Sequence, residues 1–156
     1  FHYLPGELDG RRYPDSGYRF DVTHRVTVLD PQHPVCEGLG DGFELTDELY
    51  LYPVIEDCVV PLLRTDHTMR SEGFWSAQLA ISGQRNCNDG WSHPPGSELV
   101  GWARAHRRSP IVYLQFGDGP VTYADPSFRR VLANAIGWTS SSAARDWAEG
   151  WSGVDR

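Results

Sequence analysis

The chain contains no lysine: all 14 of its basic residues are arginine. That bias says more about composition than mechanism, although the planar guanidinium is the better fork for a carboxylate or phosphate. Positive charge is outweighed by 21 acidic residues, leaving a net charge of −7 and a pI near 5.2. This balance argues against a nucleic-acid backbone as partner. No apolar run approaches the roughly 18 residues of a membrane span, and no charged-then-apolar leader opens the chain. Neither nucleic acid nor membrane is therefore an expected partner. Cysteine is scarce too. Cys36, Cys58 and Cys87 are an odd count without a CxxC pair, so a disulfide framework and a cysteine zinc site are both unexpected, and the cytoplasm is the default location. HxH, HExxH, GxSxG, GxGxxG and the P-loop are all missing, which removes the common metalloprotease, hydrolase-elbow and nucleotide signatures.

A chain of 156 residues suits one ordinary domain with a real core. Its most informative stretch runs from Ser109 to Trp138. Ile111 to Leu114 is an apolar, β-branched and aromatic run of the kind a parallel sheet buries on both faces. A loop with one acid, Asp118, follows. Asp125 then offers an N-cap oxygen and Pro126 a preset φ at the first helical turn. Phe128, Val131, Leu132, Ala135 and Ile136 form one stripe that can cover a sheet. Earlier, strands are expected at His24–Leu29, Phe43–Tyr52, Val59–Arg64 and Phe74–Ile81. A helix is expected from Ser97 to about His106, because Leu99, Trp102, Ala103 and His106 share a side. Phe1–Phe20 and Arg85–Gly96 read as loops. Beyond Trp138 a serine linker leads to Trp147 and Trp151, four apart, which suit a last docked helical turn.

The chemistry-bearing residues are few. On a regular strand, Thr46, Glu48, Tyr50 and Tyr52 share one face, while Leu45, Asp47, Leu49 and Leu51 share the other. The polar face reads as a cleft wall with Glu48 as base or ligand, or else Glu48 pairs with an arginine. His93 sits between Trp91 and two prolines, a rigid mount for an imidazole or a structural histidine. Asp118 either orients a reacting group or satisfies loop amides. His33, before Pro34, reads as structural, and His2 lies in a segment too irregular to place.

Taken together, these elements resemble a known family. His33-Pro34, Gly38-Leu39, Phe43 and Asp47-Glu48-Leu49-Tyr50, followed by Gly117-Asp118 and Pro126 to Trp138, are similar to the core and closing elements of trehalose-utilisation (ThuA-like) proteins. The resemblance covers roughly residues 1–139, with 140–156 as a tail. It implies an α/β, flavodoxin-like three-layer sandwich of the class I glutamine-amidotransferase type, whose amino-terminal βα units this chain lacks. It implies sugar metabolism, with a trehalose-like or keto-sugar ligand. The expected site sets Glu48, His93 and Asp118 as acid–base residues and Tyr50, Trp91 and His2 as sugar contacts. A zinc or other divalent ion on His93, Glu48 and a residue upstream of this chain is open, as is self-association. The alternative is a sugar-binding or assembly domain without chemistry. Much of the family has His where this chain has Asp118.

Overall fold

The computed structural model describes residues 6–8 and 10–152. Strands β1 (Gly6–Leu8) and β2 (Arg11–Tyr13) form a small hairpin of their own. The main sheet is built from β3 (Gly17–Val28), β4 (Gly42–Leu51), β5 (Val60–Thr65), β6 (Trp75–Ser76), β7 (Leu99–His106) and β8 (Ser109–Leu114). Its order is β4-β3-β5-β7-β8, with β6 on the first half of β3. Helices α1 (Ala77–Ile81), α2 (Pro120–Ala124), α3 (Pro126–Thr139) and α4 (Ser142–Glu149) complete the mixed α/β body. None of the helices is long and apolar enough to cross a membrane, among the described residues.

Every strand pairing among the described residues is antiparallel. A doubly wound parallel sheet, the centre of the expected flavodoxin-like sandwich, is therefore not what these strands form. The reason is visible at β8. Its run is only partly buried, with Ile111 37% exposed, and it turns straight back onto β7 through Arg107 and Arg108. Arg107 takes the left-handed φ of 55° that such a two-residue turn needs.

The helix expected over Ser97–His106 is instead the inner strand β7. Gly101, Ala103 and Ala105 are buried while Trp102 and Arg104 alternate with them, which is a period of two. The small residues serve close sheet packing: a side chain at Gly101 would begin 2.8 Å from the Leu63 methyl. The strand expected over Phe74–Ile81 is realised only at its first residues, since Ser76 caps α1 by accepting from Leu79 N.

The closing helix forms where expected. The Asp125 carboxylate accepts from the Ser127 and Phe128 amides at 2.8 Å each. Its buried stripe is rotated from the expectation, comprising Phe128, Val131, Ala135 and Trp138, with Ile136 63% exposed. Asp125→Ala is expected to cost about 1 kcal/mol, read as a lower urea midpoint at unchanged m-value. The tail docks as well: Trp147 lies 5.1 Å from Trp138 and 4.9 Å from Trp151, while Ala144 and Ala148 are buried.

Two features curl the sheet. The β3–β4 register shifts between Arg19 and Val22, where Asp21 holds φ 54°, so β3 bends as bulged strands do. In addition, the end of β8 reaches β4: Tyr52 donates to the Tyr113 hydroxyl at 2.7 Å, and the Gln115 amide donates to the Tyr50 carbonyl at 3.1 Å. The outer edge of β4 is thereby covered rather than left open, as edge strands require.

Candidate functional site

The faces of β4 follow the alternation. Leu45, Leu49 and Leu51 enter the core, and Glu48 and Tyr50 project into a cavity of about 380 Å³. Tyr18 and Phe20 of β3, Ala77, Ala80 and Ile81 of α1, Arg85 and Asp118 complete its wall. Two devices hold that wall. The Tyr18 hydroxyl accepts from Asn86 N at 2.9 Å and so fixes the loop next to Arg85. Buried Asp15 accepts from Ser76 Oγ at 2.6 Å, Gln78 N at 2.7 Å and Trp91 Nε1 at 3.0 Å. It thus pins the amino end of α1.

Glu48 is buried at 7% exposure. Burial is the main cause that pushes its carboxyl up to about 7, and the neighbouring Asp118 carboxyl adds to it by charge and hydrogen bonding. The Tyr50 phenol donates to Glu48 Oε2 and pulls the other way. Glu48 is therefore able to hold a proton near neutrality, with a second carboxyl, Asp118, next to it. A pair of this kind can deliver a proton to one atom and collect one from another.

Glu48, Tyr50 and Asp118 are thus brought together as expected; His93 and Trp91 are not. Trp91 packs against Gly17, where an added Cβ would stand 2.9 Å from the indole and 3.0 Å from the Leu51 side chain. That is the Leu51 face of β4, opposite to Glu48 and Tyr50. His93 lies beside Trp91 and Tyr13, with ring centroids 5.8 and 5.9 Å away, and its Nδ1 is 2.6 Å from the Pro94 carbonyl oxygen. The aromatic walls come instead from Tyr18 and Phe20, which lie in a stretch without sequence periodicity. His33 is structural as expected: its Nδ1 accepts from Val35 N at 3.2 Å. His2 lies outside the described residues.

This separation bears on the metal. No group of three or more His, Cys, Asp or Glu is placed to hold an ion, among the described residues. His93, one of the open metal ligands, is not among the residues that line the cavity with Glu48.

A buried carboxyl, Glu48, with the exposed carboxyl of Asp118 beside it at the covered edge of a curled α/β sheet, defines the class of site. The family is shown by comparison: residues 6–139 match the model for trehalose utilisation proteins, and the chain belongs to this ThuA family. No curated protein matches it.

Proposed function

We propose that this chain performs acid–base chemistry on a sugar of trehalose utilisation, a trehalose-like or keto-disaccharide, at the Glu48–Asp118 pair. The buried Glu48 carboxyl, facing a cavity with the solvent-exposed Asp118 beside it, carries this reading. The charged carboxyl takes a proton from a sugar hydroxyl or from a carbon beside a carbonyl. The protonated one gives its proton to a second oxygen, so the pair ends with the proton count it began with. Tyr50 steadies Glu48 by its hydrogen bond, and the rings of Tyr18 and Phe20 offer apolar faces to a pyranose. The volume of about 380 Å³ lies within the usual range of small-ligand clefts, roughly 300–1,000 Å³.

The test is calorimetry and product analysis with trehalose and a keto-disaccharide on the same preparation. Binding with turnover is the expected result. Binding without turnover supports the sugar-binding or assembly alternative, and absence of binding defeats both.

A further inference from the structure

Asp47 lies on the core face of β4, where an acid should not be, and is only 5% exposed. Its carboxylate is occupied entirely by backbone amides. Oδ2 accepts from Gly117 N at 2.7 Å, and Oδ1 accepts from Asp118 N at 3.2 Å and from Glu48 N at 2.9 Å. The partners are the two halves of the site, Glu48 on one side and the Gly117–Asp118 loop on the other. Gly117 takes φ +117°, a conformation that side chains resist, and this brings its amide onto the carboxylate. The geometry is possible only because β4 is an edge strand: the loop passes around the edge, from the core face that Asp47 occupies to the cavity face that Glu48 occupies. A second link, Thr122 Oγ1 to the Thr46 carbonyl at 3.4 Å, ties α2 farther along the same edge.

Resting on the acid–base reading above, we propose that Asp47 is a positioning residue: its buried carboxylate clamps the Gly117 and Asp118 amides and so sets the Asp118 carboxyl against Glu48. Asp47 touches no ligand in this role. Hydrogen bonds to a charged acceptor are about twice as strong as neutral ones, so an amide at position 47 is a poor substitute. Asp47→Asn would leave one acceptor oxygen for three amides, and the new NH₂ group would oppose one of them.

The readout is the titration of Glu48 itself, followed by carboxyl ¹³C NMR on the full chain without substrate. The groups that face Glu48 are Tyr50 on its own strand, Tyr18 on β3, Arg85 after α1, and Asp118, and the Asp47 charge acts on it from the other face of β4. In the wild type the midpoint is expected well above the ordinary glutamate range. Asp118→Asn should lower it by about one pH unit or more, and Asp47→Asn should lower it comparably. Gly117→Ala keeps the Asp47 charge but strains the clamped loop, and it should lower the midpoint too. Its Cβ would sit 3.3 Å from the Tyr123 hydroxyl. It also serves as the second variant should Asp47→Asn not fold.

A fall in Asp47→Asn with none in Gly117→Ala means that Asp47 acts through its charge alone, which overturns the positioning role. An unchanged midpoint in Asp47→Asn, with only a loss of thermal stability, overturns it as well. An ordinary midpoint in the wild type defeats the acid–base reading itself, a distinct failure.

Discussion

Glu48→Gln is expected to lower kcat/KM on a keto-disaccharide by about 10²- to 10⁴-fold, the span typical of removing a positioned acid or base, and at the same time to stabilise the fold above pH 7. The two effects share one cause. Glu48 titrates near 7 because burial and Asp118 disfavour its charge, so the folded chain binds a proton that the unfolded chain has already lost. A carboxyl raised in this way contributes stability below the ordinary glutamate range and loses it as pH rises through 7. At pH 8 the glutamine variant escapes that penalty. After discounting for the solvent in the cavity mouth, the gain is about 1–2 kcal/mol, or about 4 °C in Tm for a chain of this length. Calorimetric melts and steady-state assays at pH 8 check both halves. Loss of activity with equal loss of Tm would mean that Glu48 is simply a packed polar residue. Retained activity would remove it from the chemistry.

The parts of this site that the sequence shows are those that obey a simple period. The alternation through Thr46, Glu48 and Tyr50 places the polar face correctly, and Asp125-Pro126 marks the start of α3 to the residue. The rest depends on pairings distant in sequence. Leu99, Trp102, Ala103 and His106 satisfy helical spacing while Leu99, Gly101, Ala103 and Ala105 in the same stretch satisfy strand spacing, and only the neighbours β5 and β8 decide for the strand. Trp91 and His93 look like a presented pair in the chain, yet Gly17, 74 positions earlier, provides the space into which the indole packs. Asp47 is excluded from the site by alternation and returned to it by topology, because only at a sheet edge can one loop meet both faces. An acid on the apolar face of an otherwise clean strand is itself the local signal: a carboxylate there must find donors, and they come from elsewhere in the fold.

A second titration, invisible in the sequence, opposes that of Glu48. His24 lies in the core at 4% exposure, its ring 6.1 Å from Phe116 and its Nδ1 2.8 Å from Thr65 Oγ1. That hydroxyl oxygen already accepts from His67 N at 3.0 Å, and His24 Nε2 has no partner among the described residues. An imidazolium must donate from both nitrogens; the second lone pair of Thr65 Oγ1 can serve Nδ1, but Nε2 has no acceptor among the described residues. Burial accordingly lowers His24 to about 4, although Asp66 and Asp47 pull the other way. A histidine lowered in this way holds its contribution above its unfolded pKa of about 6.5 and loses it as pH falls toward 4, a difference of about 2–3 kcal/mol. Glu48 loses stability in the opposite direction, as pH rises through 7, so the two slopes counter each other across mildly acidic pH. His24→Asn, which leaves Thr65 an amide to bond, should lower stability by about 1–2 kcal/mol above pH 6.5 and expose the Glu48 slope, giving a fold that weakens as pH rises from about 4.5 to about 7 and then levels off. Glu48→Gln should expose the His24 slope, giving one that weakens from pH 6.5 to 4. Urea midpoints measured across that range in the three proteins check the argument. Parallel curves for His24→Asn and the wild type would show that His24 binds its proton as easily in the fold as out of it.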